Sequence, residues 1–314
     1  MSISVGLGIA EFPFSDVKAF WRWAAMCDEG GVNSIWQTDR MVSREPFLEC
    51  MTSLAALVGA TKRVKFGMNV ASAGIRDPLI LAKQCATIDM LSEGRLLPAF
   101  GIGSITAPVW TATGRKTKGR GARTDEALDI IKQLWSGEPL TVMGEFFHYE
   151  NATISPRPVQ KNFPFWIGGS SPAAIRRTAR IGTGWLAGLE TPEKVATVIS
   201  AIRTAAEEAG RPIDDDHYGA GFPFRFGSWD DDVTQTAVDA YAKRKKGDPK
   251  VYMGIGGADE IIERACAYID AGVSKFVLRP LANDDADFLD QTQKLIDTVI
   301  PVVEAMETVV PEAA

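Results

Sequence analysis

Residues 166–185 read WIGGSSPAAIRRTARIGTGW, and this stretch decides the fold because it contains one complete strand–helix–strand unit. The apolar run 163–167 predicts a strand, and the double glycine and two serines after it predict a tight turn. A helical pattern follows over 173–180, and a second short strand is predicted at 184–187. Such units are the building blocks of parallel sheets.

The same alternation extends over nearly all of the 314 residues. Eight strands are predicted, at 3–9, 33–37, 64–71, 95–102, 163–167, 184–187, 217–226 and 275–279. The predicted helices are 16–29, 46–60, 78–91, 123–135, 173–180, 192–209, 259–271 and 287–307. Eight strand–helix repeats favour an α/β fold closed into a single (β/α)8 barrel, with residues 1–314 as one domain.

A doubly wound open sheet is the alternative, and it predicts a Gly-x-Gly-x-x-Gly turn after the first strand. Here Gly6 and Gly8 lie inside that strand and no such turn follows, so the barrel is favoured. Polar stretches at 104–121 and 228–250 predict insertions after strands four and seven. Alternating residues at 139–149, around Gly144, predict a β-hairpin before strand five.

The composition excludes several classes of protein. With 46% hydrophobic residues the chain can bury a large core. There are 34 lysines and arginines against 40 acidic residues, a net charge of −6, which argues against nucleic-acid binding. Nothing in the pattern predicts a membrane span or a cleaved signal, so we expect a soluble cytoplasmic chain. Neither a zinc site nor a disulfide framework is expected from the four scattered cysteines, Cys27, Cys50, Cys85 and Cys266.

The turn at 168–172 is the strongest local signal for a ligand. Glycines let a backbone approach a ligand, and free N–H groups at a helix N-terminus attract an anion. An equally good interpretation is a tight turn capped by Ser171, with no ligand. The other predicted strand ends carry small, amide and aromatic residues with little acid–base capacity. That predicts a site which holds a flat cofactor and leaves the chemistry to it.

Several motifs in this order resemble the bacterial luciferase-like monooxygenase superfamily. They are residues 166–185 together with LSEGRL at 91–96, RTDEAL at 123–128, SPRPVQ at 155–160, GADE at 257–260 and DAGV at 270–273. The resemblance covers about residues 3 to 300. It implies a (β/α)8 barrel that uses FMN or the deazaflavin coenzyme.

The resemblance also implies where the cofactor lies. The end of strand three would support the ring through Asn69, Val70, Ala71 and Ser72, with a cis peptide expected at Val70–Ala71 or Ala71–Ser72. The ring edge or ribityl chain would lie near Gly101 and Gly103. The ribityl or phosphate group would contact Gly168, Gly169 and Ser170, with Thr191 also near the phosphate.

The sequence departs from the family pattern at the candidate catalytic residues, Asp39 and Arg40. Deazaflavin-dependent dehydrogenases of this superfamily commonly carry an Asp-His pair after strand two. Arg40 stands at the histidine position and cannot act as a base near neutral pH. It would hold an anionic substrate, stabilise a reduced anionic flavin, or form a structural ion pair with Asp39 or Glu45.

Other residues have two interpretations each. The aromatic residues Trp36, Phe222 and Phe224 predict an apolar substrate pocket or ordinary core packing. Neither histidine is a strong catalytic candidate, since His148 is expected on the hairpin surface and His217 at the start of strand seven. Two basic stretches predict solvated loops. The alternative is a lid over the cofactor phosphate or a site for an acidic deazaflavin tail. The first stretch is Arg115, Lys116, Lys118, Arg120 and Arg123, and the second is Lys243, Arg244, Lys245, Lys246 and Lys250.

The sequence therefore favours a two-component monooxygenase that uses reduced FMN, supplied by a partner reductase, and O2 to oxygenate a small apolar substrate. One alternative is a deazaflavin-dependent oxidoreductase that transfers hydride to an activated double bond or carbonyl. Another is a flavin-binding protein without turnover. A homodimer is plausible by the same resemblance.

Overall fold

The strands and helices follow the predicted alternation in a computed structural model that describes residues 2–244 and 248–306. The strands are β1 Ser4–Ile9, β2 Ser34–Gln37, β3 Lys65–Met68, β4 Ala71–Ser72, β5 Leu96–Leu97, β6 Ala99–Gly101, β7 Leu140–Met143, β8 His148–Ala152, β9 Trp166–Gly168, β10 Gly184–Leu186, β11 Tyr218–Ala220, β12 Pro223–Phe226, β13 Gly254–Gly256 and β14 Lys275–Pro280. The helices are α1 Val17–Glu29, α2 Cys50–Ala60, α3 Pro78–Leu91, α4 Val109–Ala112, α5 Arg120–Ser136, α6 Pro172–Ile181, α7 Pro192–Glu208, α8 Asp232–Arg244, α9 Ala258–Asp270, α10 Asp285–Lys294 and α11 Ile300–Glu304.

The main sheet is parallel and curled. Neighbouring strands follow the order β4, β6, β9, β10, β11, β14, β1, β2, β3, β5. The two ends of this order are linked along the chain, since β4 follows β3 and β6 follows β5 after very short breaks. This α/β architecture is consistent with the barrel expected from the sequence.

Short polar signals determine where the helices begin. Three helices start with a capping side chain followed by proline at the first helical position, which needs no N–H partner there. The cap–proline pairs are Asp77–Pro78 at α3, Ser171–Pro172 at α6 and Thr191–Pro192 at α7. Glu49 caps α2 by accepting from the N–H groups of Met51 and Thr52. That helix therefore begins at Cys50, not at residue 46 as predicted.

Other predicted boundaries need correction. Strand three is broken at residues 69–70, and strand four at Pro98, which has no N–H to donate to the sheet. Strand seven divides into β11 and β12, the insertion after it contains α8, and the unpredicted strand β13 follows the insertion. The last helix contains a π-helical turn at Leu295–Val299 between α10 and α11, and its predicted end at residue 307 lies outside the described residues.

The buried apolar residues form three clusters. The largest lies between the sheet and its helices. A second, inside the curled sheet, consists of Trp36, Ala99, Trp166, Leu186 and Val277. The third lies beneath α8 and consists of Tyr241, Tyr252, Met253 and Ile255. Across residues 2–244 and 248–306, no helix combines the length and apolar character needed to cross a membrane.

Candidate active site

The carboxyl ends of the strands surround a cavity of about 200 Å³, which we call the mouth cavity. It is lined by Thr38, Asn69, Leu186, Ala187, Gly188, Leu189, Gly221, Val277 and Arg279. These residues follow or end β2, β3, β10, β11 and β14. Ligands of parallel α/β barrels bind at this face, so the cavity is the first candidate for the reaction site.

The end of strand three bulges at the edge of the mouth cavity. The peptide bond Asn69–Val70 is cis, so the expected positions, Val70–Ala71 and Ala71–Ser72, are wrong. The Asn69 N–H still donates to the Gln37 carbonyl at 2.9 Å, and Ala71 already pairs with Phe100 of β6. The bulge is therefore confined to the two-residue link between β3 and β4, at the end of the pairing with β2.

The side chain of Val70 lies over two of the predicted cofactor-binding glycines. A Cβ added to Gly101 or Gly168 would lie 2.8 or 2.9 Å from Val70 Cγ2, which is too close for any side chain. Gly103 has φ +71°, and a Cβ there would lie 2.9 Å from Ser72 Oγ. The structure thus brings the ends of strands three, four and five into direct contact. The contact of these residues with a cofactor stays a prediction.

The turn after β9 has the features of an anion site. Gly169 adopts φ +108°, a conformation that favours glycine, and its carbonyl accepts from Trp185 Nε1 at 2.8 Å. Ser171 caps α6 by accepting from the Ala174 N–H at 3.2 Å. The neighbouring Ser170 Oγ is buried and has no hydrogen-bond partner among residues 2–244 and 248–306. A buried hydroxyl without a partner, next to the N-terminus of a helix, fits a cofactor phosphate well.

The hydroxyl of Thr191 already has a local role. It caps α7 by accepting from the Lys194 N–H at 3.3 Å. Its contact with a cofactor therefore stays a prediction.

Asp39 forms the centre of a buried polar network. Its carboxylate accepts from Arg76 at 2.6 and 2.7 Å and from the Ser72 N–H at 2.9 Å. The side chains of Asp39 and Arg76 are 2% and 9% exposed. Arg76 also pairs with Glu49 at 2.8 Å. The partner of Asp39 is therefore Arg76 rather than Arg40, and the pair fixes Ser72 next to the bulge.

Burial and neighbouring charges shift the pKa values of two side chains in this network, Arg76 and Cys50. Burial by itself lowers the pKa of the Arg76 guanidinium, but hydrogen bonds to Asp39 and Glu49 raise it above its ordinary value. Burial and the negative charge of Asp39 raise the pKa of the Cys50 thiol well above its ordinary value. Asp39 is thus engaged as a structural anion, which weakens its candidacy as a catalytic base.

Arg40 lies in the loop after β2, on the wall of a second, wider cleft of about 510 Å³. Its guanidinium lies over the ring of Phe47, 4.6 Å from the centroid. Arg44 and Glu45 line the same cleft from this loop, and Ser72 joins it to the bulge. A catalytic role for Arg40 stays a prediction.

The three aromatic residues predicted as a substrate pocket are buried in packed clusters. Trp36 lies inside the curled sheet and donates from Nε1 to Ser34 Oγ at 2.9 Å. Phe222 stacks on Tyr268 with 5.6 Å between centroids, and Phe224 is 0% exposed. Their burial favours the core-packing interpretation, and the substrate-pocket assignment gains no support from it.

Both histidines lie away from the mouth cavity. His148 is exposed on β8, and His217 precedes β11 at the opposite end of the sheet. His217 forms a group of potential metal ligands with Asp214 and Asp216. A second such group comprises Asp39, Glu49 and Cys50, and the Arg76 guanidinium already lies within it.

The first basic stretch lies on the expected face. Thr117 to Gly121, together with Ile102 and Ile105, line a cleft of about 410 Å³. Arg123 instead donates to the Gly74 carbonyl at 2.8 Å. In the second stretch, Lys245, Lys246 and the Arg244 side chain lie outside the described residues, and Lys250 lies 5.3 Å from the ring centroid of Trp229.

The structure adds three residues that the sequence reasoning missed: Arg76, Arg279 and Tyr241. The role of Arg76 depends on a contact between residues 37 positions apart, so no local pattern indicates it. Arg279 had a usable signal, because it lies at the carboxyl end of strand eight, where barrel chemistry takes place. Tyr241 contacts Arg279 from the strand-seven insertion.

Comparison with known proteins agrees with this fold. The family model for luciferase-like monooxygenases matches residues 6–275. The chain belongs to this family, whose members are oxidoreductases.

Individual relatives differ in the cofactor or reaction that their names give. The F420-dependent glucose-6-phosphate dehydrogenase of Nakamurella multipartita is 30% identical over 203 residues, which are 61% of this chain and 59% of that protein. Two solved structures share the fold. An F420-dependent secondary alcohol dehydrogenase has a TM-score of 0.82 at 21% identity, covering 96% of this chain and 99% of that one. Monooxygenase RslO1 from Streptomyces bottropensis has a TM-score of 0.80 at 20% identity, covering 95% and 99%.

The first curated relatives are matched over only part of their length, 57% to 59%. The activity, substrate and partners of this chain are therefore matters of proposal.

Proposed function

We propose that this chain is a flavin-dependent oxidoreductase that acts as a two-component monooxygenase, using reduced FMN and O2 on a small, largely apolar substrate. One observation carries the proposal. The residues that line the mouth cavity include no aspartate, glutamate or histidine, and the nearby Asp39 is held by Arg76. Because this described lining offers no general base, the cofactor has to supply the reactivity.

The residues of the mouth fit such a cofactor. Asn69, Val70 and Ser72 would support the ring, with Gly101 and Gly168 allowing close approach. The turn at Gly169 and Ser170 would hold the phosphate, since it offers an unpartnered hydroxyl and the N-terminus of α6. A reduced flavin supplies electrons for reaction with O2. The chain's own part is to bind and orient the cofactor and substrate and to exclude water.

The proposal extends to the finer architecture and to partners. We infer a single (β/α)8 barrel with insertions after strands four and seven, and a separate reductase that delivers reduced flavin. Association of two copies is a further part of this proposal.

A deazaflavin-dependent hydride transfer is the second candidate. It is favoured by the curated relative of Nakamurella multipartita, which is F420-dependent. The same bulge and phosphate turn would serve this cofactor. The substrate would then be an activated double bond or carbonyl.

Titration with each cofactor separates the two candidates. We expect reduced FMN to bind and to be consumed in an O2-dependent reaction that oxygenates substrate. Tighter binding of the deazaflavin, with reaction in the absence of O2, would instead establish the second candidate. If neither cofactor binds, the proposal fails.

Substitution of Ser170 tests the phosphate turn. Ser170→Ala removes a hydroxyl without a partner in the free protein, so the free energy of unfolding should hardly change. Cofactor affinity should fall about tenfold to hundredfold, the value of a hydrogen bond to a charged group. Thr234→Val is the matched control, because Thr234 Oγ1 is also buried without a partner but belongs to α8. Equal cofactor affinity in both variants would contradict the assignment.

A further inference from the structure

Arg279 is the charged residue in the lining of the mouth cavity. It lies near the carboxyl end of β14, where its backbone N–H donates to the Phe222 carbonyl at 3.1 Å. Its side chain extends over the neighbouring strand β1, since a Cβ added to Gly8 would lie 3.5 Å from Arg279 Cγ. The side chain of Arg279 thus lines the mouth cavity from strand eight.

The strand-seven insertion fixes the position of this guanidinium. Arg279 Nη2 donates to the hydroxyl of Tyr241 on α8. Tyr241 is itself only 7% exposed, in the cluster with Tyr252 and Met253. A residue from the insertion therefore anchors one side of the guanidinium and leaves its other donors available to the cavity.

The charge of Arg279 has no acidic partner in the part of the chain that the structure describes. Arg76, Arg177 and Arg225, by contrast, each pair with a carboxylate within 3.0 Å. Arg279 is only partly exposed and shares its cavity with the apolar side chains of Leu186 and Val277. A cation in such surroundings interacts strongly with an anion that enters the cavity.

Two further polar groups in the cavity suit the same ligand. Asn69 can donate through its side-chain amide, and Thr38 can donate through its hydroxyl. Together with Arg279 they form a small set of donors around an otherwise apolar space. This is the usual composition of a site that orients a small ligand by one charged group.

We propose that the mouth cavity binds a substrate that carries a carboxylate, with Arg279 as the specificity-determining residue and Tyr241 as its positioning residue. This inference rests on the proposed function, since it names the substrate class of the same site. The guanidinium forms a paired hydrogen bond with the carboxylate, and the apolar wall accommodates the rest of the molecule.

The position of Arg279 favours the substrate over the cofactor phosphate. The phosphate turn follows β9, and β10 and β11 separate β9 from β14 in the sheet. Since Gly169 and Ser170 are the proposed phosphate site, we assign the cation on β14 to a second molecule.

A pair of matched probes tests the proposal. Benzoate and benzamide have the same shape, but only benzoate is charged. Their dissociation constants are measured by calorimetry on protein saturated with whichever of FMN and the deazaflavin binds. We expect the unchanged protein to bind benzoate about tenfold more tightly than benzamide.

Four variants assign the preference to Arg279. Arg279→Met keeps the length of the side chain and should bind the two probes equally, while Arg279→Lys should retain part of the preference. Tyr241→Phe should weaken benzoate binding a few-fold and leave benzamide binding unchanged. Arg22→Met removes an exposed arginine of α1 and should keep the full preference.

Three outcomes would overturn the inference: equal binding of the two probes by the unchanged protein, an unchanged benzoate preference in Arg279→Met, or loss of cofactor affinity in that variant without loss of the preference. If Arg279→Met does not fold, Arg279→Lys and Tyr241→Phe decide the matter. Cofactor affinity is measured separately, so failure of the proposed function is distinguished from failure of this inference. If neither cofactor binds, the probe preference is measured on the protein alone.

Discussion

The ion pair of Asp39 and Arg76 shows how one cation shapes the candidate site. Asp39 lies two residues after the buried strand β2, and its carboxylate accepts from the Ser72 N–H at the bulge. Without Arg76 this carboxylate would be an uncompensated charge in a buried position. The cost of such a charge is large because little solvent reaches it.

Removal of Arg76 should therefore destabilise the protein strongly. We expect Arg76→Met to lower the free energy of unfolding by about 3–5 kcal/mol in urea denaturation, and Arg76→Lys to lower it less. The control is Arg180→Met, which breaks an exposed pair with Asp129 and should cost less than about 1 kcal/mol. Equal costs for the two substitutions to methionine would contradict the role of the buried network.

Glu49 makes the same network sensitive to acid. Burial by itself raises the pKa of its carboxyl, but hydrogen bonds from Arg76 and Thr52 lower it from 4.5 to about 2. A carboxyl with a lowered pKa in the folded state contributes stability above pH 4.5, and this contribution is lost as the pH falls towards 2. Glu49→Gln should thus flatten the decline in stability between pH 4.5 and 2. Acid titrations monitored by circular dichroism test this, and identical curves for both proteins would refute it.

Helix caps act at the level of secondary-structure elements, and one of them also connects two elements. Asp77 caps α3 by accepting from the Ile80 N–H at 3.0 Å. Its second oxygen accepts from the hydroxyl of Tyr149 at 2.9 Å, which ties the β7–β8 hairpin to the sheet's helical layer. Burial and this carboxylate raise the pKa of Tyr149, so the phenol remains a donor at neutral pH.

Asp77→Ala should remove the cap and the link to the hairpin together. We expect a loss of about 2 kcal/mol in the free energy of unfolding, from about 1 for the cap and about 1 for the hydrogen bond. Asp16→Ala is the matched control. Asp16 caps α1 by accepting from the Ala19 N–H, which is a local contact, and the described residues show no second link like that of Asp77 to Tyr149. Its cost should be about 1 kcal/mol. A cost for Asp77→Ala no greater than this would show that the tyrosine contact adds nothing.

Because the apolar clusters are separate, we expect the free energy of local opening to differ between parts of the molecule. The sheet and most of its helices share the largest cluster, whereas α8 packs on the small one around Tyr241 and Tyr252. A segment held by few buried contacts opens at a lower free energy than the central strands. The element that positions Arg279 is therefore expected to be less stable than the strand that carries it.

Native-state hydrogen exchange tests this difference. Amides of α8 should exchange through openings of lower free energy than those of β1, and Tyr252→Ala should reduce protection in α8 while leaving β1 unchanged. Equal protection of the two elements in the unsubstituted protein would show that the insertion unfolds only with the rest of the sheet.

Some features of the candidate site could be predicted from sequence, either from local signals or from the resemblance. The double glycine before a capped helix predicts the turn at residues 168–172, and the resemblance implies a cis peptide at the end of strand three. The predicted cis peptides lie one and two residues beyond the observed one, because pairing with β2 ends at Asn69 and not at residue 71, which only the register shows. The strand-end position of Phe222 and Phe224 also predicts a substrate pocket. Both are buried, and their burial depends on helices far along the chain.

The sequence by itself determined the alternation of strands and helices, the helix caps and the glycine turn, since periodicity and capping act over a few residues. The tertiary structure alone decided which cation pairs with Asp39 and which remains in the mouth. Several arginines satisfy the same local rules. Selection among them depends on strand register and on contacts such as Arg76 with Asp39 and Arg279 with Tyr241, which join residues 37 and 38 positions apart.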